Sequence, residues 1–429
     1  MSAPSWRVHD ILTVGLLIGI VGSVLFRAHR DPTFGIEVRD SESVTIRDFA
    51  AHLTFAKAFW SDGVDYSVES HLAVTREWAG RPVERSLPFG YAPTMLWLLA
   101  PLTPLPLVWG FTAWTLLSAL AVWWMTRRPR AWWLASTLLL LSPLGVLCFS
   151  LGQTAYLGAA GLLLLMVSAS RPPPRTHILA ADAAPALTLW ALAAKPPLAI
   201  VGAVVMLAGR RPRPVALAVV LTVVTTLLIT PRLGWTWPSE YFDLLRHYDQ
   251  STADPAFGWS FRPDTMANLR ALLWHTGLVS DNVASAASSA LWLLVTSGAW
   301  WLGRCRQISM RVTWVLIVVA YLTLFPHVSS TENLQLSLLL AAVGSSLFAG
   351  NGLGRAIDQR RRAAQALPFV AYVAVFSLPT GPVLSLSTYT YVVLTAVTCT
   401  GFLAFRALST NGPERGSRSS PHRGRGSSR

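Results

Sequence analysis

Apolar runs of about 16–20 residues follow one another along most of the chain, broken by short arginine clusters and by two long polar stretches. ILTVGLLIGIVGSVLF (11–26) is the first of them. As helix, a run of that length matches a hydrocarbon layer ~30 Å thick. In lipid the backbone must satisfy its own polar groups, so such runs mean helices rather than open strands. The pattern predicts spans at 11–28, 91–101 with 106–126, 131–149, 154–170, 178–194, 197–209, 214–231, 286–303, 312–326, 333–349, 367–379 and 388–405. In 91–126, YAPTMLWLLAPLTPLP is proline-rich and leaves the stretch ambiguous: a short re-entrant piece before one true span is one reading, and on that count the crossings number about twelve, give or take one. The fold class is therefore all-α, a polytopic membrane protein of about twelve crossings. The first span lacks a small-residue cleavage site and reads as an anchor that is kept.

Charge adds sidedness. Charged residues make up 13% of the chain, about half the share usual in a soluble domain. The net charge of +14 sits in clusters between spans, the positive-inside pattern rather than a nucleic-acid surface. RRPR (127–130), RPPPR (171–175), RRPR (210–213), RCRQISMR (304–311) and RAIDQRRR (355–362) fall on one side, read as cytoplasmic. Two long loops, 29–90 and 231–285, fall on the other and hold sixteen of the 21 acidic residues. Residues 1–408 thus read as one transmembrane domain of the plasma membrane, with its functional face outside the cytoplasm. The tail, 409–429, is rich in Arg, Ser and Gly and reads as disordered and drawn to anionic headgroups. Three widely spaced cysteines give no disulfide framework.

Polar groups converge on the outer face. In TIRDFAAHLTFAKAFW (45–60), Asp48 and His52 stand one helical turn apart. Gln153 ends a span in SLGQTAY, Lys195 ends another in LAAKPPLA, and His327 and Glu332 lie in FPHVSSTENL. Both lysines of the chain, Lys57 and Lys195, fall on this side, against the positive-inside trend. Plainer readings exist: Asp48 capping its helix, Gln153 bonding a helix end, Lys195 snorkelling, His327 packed at the interface. Together the groups suit transfer from a phosphate-bearing lipid. An ammonium holds a phosphate leaving group, a carboxylate takes a proton from an attacking hydroxyl, and an amide or imidazole orients hydroxyls. No nucleotide fingerprint is present. No cofactor is implied, and nothing at ligand spacing supports a divalent metal. Most of the 19 tryptophans suit interfacial belts; those of GWTWPSEYF (234–242) and Trp259 also suit stacking on a sugar.

These segments resemble glycosyltransferase family 87, membrane transferases of the GT-C fold that use polyprenyl-phosphate sugars. The likeness runs in order over roughly residues 45–340. It is carried by Asp48-Phe49, Gly63 to Tyr66, FGYAPTMLWLLAPLTPLP (89–106), LGQTAYLGAAGLLLL (151–165), ALAAKPPLAIVGAVVMLAGRR (191–211), ANLRALLWHTG (267–277) and FPHVSSTENLQLSLLL (325–340). The resemblance implies an inverting transfer with Asp48 as catalytic base and His327 assisting in the donor or acceptor site. It places Lys195 near the donor phosphate; apart from the resemblance, Arg47 or Arg262 would help stabilise that phosphate as it departs. Gln153, Tyr91, His52 and Glu332 would bind substrate. The implied donor is a polyprenyl-phosphate sugar, mannose first and arabinofuranose as the alternative, and the acceptor a cell-envelope glycan or glycolipid. The family's usual Tyr-Pro-Pro is Tyr91-Ala92-Pro93 here, a tyrosine that often follows the acidic pair is replaced by His52, and Ser329 to Asn333 fill the late motif. A lipid or sugar transporter or flippase, and a non-catalytic partner in envelope assembly, are the rival readings.

Overall fold

The computed structural model describes residues 8–31, 34–38, 44–46, 48–80, 89–126, 143–170, 178–250, 268–305, 307–308 and 310–326. Arg47, Arg262, His327 and Glu332 lie outside the described residues, as do the expected spans at 333–349, 367–379 and 388–405 and the tail 409–429.

The described chain is helical apart from one two-stranded antiparallel ribbon, β1 (Ile36–Val38) on β2 (Val44–Ile46), which registers Ile36 opposite Ile46. The helices in order are α1 (Val8–Arg30), α2 (Asp48–Asp62), α3 (Val68–Ala79), α4 (Thr94–Leu99), α5 (Leu107–Thr126), α6 (Pro143–Leu151), α7 (Ala155–Ser170), α8 (Ile178–Leu192), α9 (Pro196–Ala208), α10 (Pro212–Leu233), α11 (Trp237–Gln250), α12 (Leu269–His275), α13 (Asp281–Arg304) and α14 (Met310–Leu324).

Among the described residues four helices, α1, α5, α10 and α13, are long and apolar enough to cross a membrane. Counting α6 and α7 as one bent span makes five. α8, α9 and α14 have 15, 13 and 15 residues, short of the ~20 that a full crossing takes. The proline-rich stretch resolves into the six-residue α4, a 3₁₀ turn at Ala100–Leu102 and then the 20-residue α5. Large apolar side chains face outward on the long helices: Ile18 and Phe26 on α1, Val220 and Leu228 on α10, Leu294 on α13. Such faces suit lipid; water would not tolerate them at this extent.

The interior packs around α7 and α9. Leu198, Val201, Gly202, Val205 and Met206 of α9 recur at helical spacing and are buried. They meet Leu162, Leu165 and Met166 of α7, also buried. At one end of this layer Arg211 donates to Asp182 at 2.5 Å and to the Ser168 carbonyl at 2.9 Å. That pair, buried on both sides, ties the ends of α7, α8 and α10 together. The opposite end of the same helices carries Gln153 and Lys195.

The described parts of the two long loops carry caps and cross-contacts. α3 is capped by the Ser67 hydroxyl, which accepts from the Ser70 amide, and is closed by left-handed Gly80. Tyr66 lies 5.3 Å from the Tyr241 ring of α11, joining the first loop to the second. Arg232 donates to the Trp60 carbonyl at 2.7 Å. At α12, the Asn268 side chain caps its helix and donates to the Phe325 carbonyl at 3.0 Å. Fully buried Arg270 grips Asp281 through two bonds, 2.8 and 2.5 Å.

Candidate functional site

Asp48 begins α2, where the helix dipole favours a negative charge. Although α2 belongs to a loop, it is buried nearly all round: Phe49, His52, Leu53, Phe55, Ala56 and Phe59 are all covered. The Asp48 carboxylate accepts a hydrogen bond from the Gln153 side-chain amide, 105 positions along the chain.

That meeting depends on how α6 ends. Gly152 adopts φ +66°, the Gln153 amide bonds the Cys148 carbonyl at 3.0 Å, and the Gly152 amide bonds Phe149 at 3.2 Å. This is a Schellman turn with glycine in the left-handed position. α6 and α7 then diverge by 108°. A Cβ on Gly152 would lie 2.6 Å from the Phe49 Cβ, so only glycine lets the turn press on α2 beside Asp48. Trp114 seals the turn by donating to the Gly152 carbonyl at 2.9 Å.

Lys195 is placed by a second break. Pro196 and Pro197 open α9, and the residue before a proline is pushed out of helical geometry. Lys195 takes φ −124°, ψ 89° at that junction. The neighbouring Ala194 carbonyl accepts from the Ala92 amide at 3.0 Å, so the Tyr91-Ala92-Pro93 segment docks beside Lys195. Asp48 and Lys195 are close enough that the ammonium acts on the carboxylate: burial raises the Asp48 pKa to about 6, while the Lys195 charge pulls it down.

Aromatic rings enclose these groups. His52 is 6% exposed, with its ring edge-on to Tyr91 at 4.7 Å and to Phe89 at 5.8 Å. The Tyr91 hydroxyl lies 3.1 Å from the Thr154 hydroxyl, next to Gln153, and the Tyr91 carbonyl accepts from Tyr66 at 2.9 Å. Burial first, then Lys195 and His71, hold His52 down to about 3, so its imidazole is neutral. Its Nδ1 is buried and has no hydrogen-bond partner among the described residues.

The structure thus brings Asp48, His52, Tyr91, Gln153 and Lys195 together. It also adds residues that sequence reasoning missed. His71 is 2% exposed and stacks on Phe55 at 4.3 Å. Its Nδ1 lies 2.8 Å from the Ser67 carbonyl, which can only accept, so Nδ1 carries the proton and the buried Nε2 is an acceptor with no partner among the described residues. Burial holds its pKa down to about 4. A histidine one turn after a helix-capping serine was the available signal. Thr154 follows Gln153 directly, and its polarity at a helix start went unread. Lys57, by contrast, donates to the Leu105 carbonyl at 2.5 Å and so anchors the proline-rich connection.

No protein-family model matches this chain, and no curated protein sequence matches it. Among the described residues no three His, Cys, Asp or Glu side chains group as metal ligands would. In chemical terms, a carboxylate with a pKa near 6 exchanges protons close to neutrality. A half-buried ammonium beside it attracts an anion, and neutral imidazoles and an amide offer hydrogen bonds of either sense.

Proposed function

We propose that the chain is an inverting glycosyltransferase of the GT-C type, related to glycosyltransferase family 87. It would move a monosaccharide, mannose in the first instance, from a polyprenyl-phosphate donor to a cell-envelope glycan or glycolipid, at the outer face of the plasma membrane. About twelve crossings would carry the two extracytoplasmic loops, with His327, Glu332, Arg47 and Arg262 completing the site.

One observation carries this reading. Asp48, Gln153 and Lys195 come from three separate helix junctions, the start of α2, the Gly152 turn and the Pro196 break, yet the Gln153 amide donates to the Asp48 carboxylate and the Lys195 charge acts on it. In the proposed step Asp48 removes the proton of an acceptor hydroxyl as its oxygen bonds to the anomeric carbon. The carbon–phosphate oxygen bond breaks on the opposite face, and Lys195 stabilises the departing polyprenyl phosphate. Gln153 orients the Asp48 carboxylate, and His52 and Tyr91 border the sugar. In vitro transfer from a panel of labelled polyprenyl-phosphate sugars, with membrane extracts as acceptors, tests it. Failure of every donor in the panel would remove the reading.

The breaks at Gly152 and Lys195 also favour a second reading, a lipid or sugar transporter, because discontinuous helices whose ends face a site recur in transporters. Reconstituted vesicles discriminate: substrate movement without glycan extension supports transport.

A further inference from the structure

Phe111 of α5 has two sides. Its ring lies 5.8 Å from Phe49, beside the site, and it also lines a groove of about 1230 Å³ between α1, α5 and α6. The floor is Gly15 and Gly19 of α1, one turn apart, where an added Cβ would meet nothing within 4 Å among the described residues. Leu16, Ile20, Val146 and Leu147 form the walls. The two hydroxyls in the groove are satisfied by their own helices: Ser23 donates to Gly19 at 2.8 Å and Ser150 to Leu147 at 2.9 Å. The wall therefore offers a tail no unmet polar group.

The mouth is charged. Arg27, Arg30 and Asp31 line it, two guanidiniums against one carboxylate, a net charge of +1. The Arg30 guanidinium lies 4.4 Å over the Phe26 ring, which fixes it at the rim. From Gly15 to Arg27 is twelve residues, ~18 Å of helix. One leaflet of the hydrocarbon layer is ~15 Å deep. The groove thus pairs an anion-attracting rim with an apolar trough about one leaflet deep.

We propose that this groove holds one anionic, phosphate-bearing glycerolipid, with its acyl chain along Gly15 and Gly19 and its phosphate between Arg27 and Arg30. It is a lipid bound in addition to the sugar donor, whose phosphate faces Lys195. Only the choice of leaflet rests on the orientation proposed above. A longer isoprenoid chain would overrun a trough of this depth, and a zwitterionic headgroup leaves the net positive rim unmatched.

The test uses the purified full chain and needs no turnover. Native mass spectrometry after exchange into nanodiscs counts retained phosphatidylglycerol against phosphatidylcholine, phosphatidylethanolamine and undecaprenyl phosphate. Retention of one phosphatidylglycerol is expected. It should fall about five-fold in each of Arg27→Gln and Arg30→Gln, one surface charge apiece, and be lost in Gly19→Leu, which fills the trough without altering charge. Equal retention of phosphatidylcholine or phosphatidylethanolamine, preferential retention of undecaprenyl phosphate, or phosphatidylglycerol retention unchanged in all three variants would overturn the proposal. Because binding is read without a sugar donor, an inactive protein that retains phosphatidylglycerol counts against the transferase alone.

Discussion

Replacing Gly152 by alanine tests how the site is assembled, because two costs can be read separately. At φ +66° a non-glycine residue loses about 1–2 kcal/mol. The new methyl would also stand 2.6 Å from the Phe49 Cβ and 3.3 Å from Phe111, an overpacking cost of ~1–3 kcal/mol. Together these come to about 2–5 kcal/mol, enough to push the turn off α2 and carry the Gln153 amide away from Asp48. Gly80→Ala supplies the control: φ is +62° there, but nothing among the described residues lies within 4 Å, so only the conformational cost applies. Transfer from a labelled polyprenyl-phosphate sugar is the assay for both, with thermal retention of monodisperse protein measured alongside. Gly152→Ala should lose about 100-fold in turnover, as displacement of a catalytic group by ~1 Å does, and Gly80→Ala should turn over as wild type. Equal turnover in wild type and Gly152→Ala, or an equal loss in both variants, would refute the reasoning.

Two other perturbations follow from the charges. Because burial raises the Asp48 pKa to about 6, the ionised base should fill in above that pH, so turnover should fall as pH drops through 6. Lys195 lowers that pKa, so Lys195→Gln should move the acid limb to higher pH as well as weaken donor capture; a limb that stays put would separate the two residues. Arg270 is wholly buried but Asp281 is 35% exposed, so Arg270→Met, which leaves Asp281 to water, should cost ~1.5–3 kcal/mol, the worth of hydrogen bonds to a charged group; thermal denaturation checks this.

The helical class was legible because it follows from run length, whereas the proline-rich stretch, Tyr91 to Pro106, was legible only as interrupted, with its crossing left open. α4 and α5 divide there. The pairing of Asp48 with Gln153 was legible only as shared sidedness. That they touch depends on Gly152 facing Phe49, a contact between distant segments that no local pattern announces. The apolar strings at 178–194 and 197–209 were legible as short, and α8 and α9 match them to within two residues at either end, because prolines and arginines bound them on both sides. His71 was missed because it sits in a polar loop sequence, where periodicity reveals little about burial.

The central claim is that Asp48 supplies the base and Lys195 faces the donor phosphate within one site. Single-turnover transfer by purified wild type and Asp48→Asn, with donor binding measured on the same samples, tests it most directly. Asp48→Asn should bind the polyprenyl-phosphate sugar as wild type does but transfer it ~100- to 10,000-fold more slowly. Transfer at the wild-type rate by Asp48→Asn would contradict it.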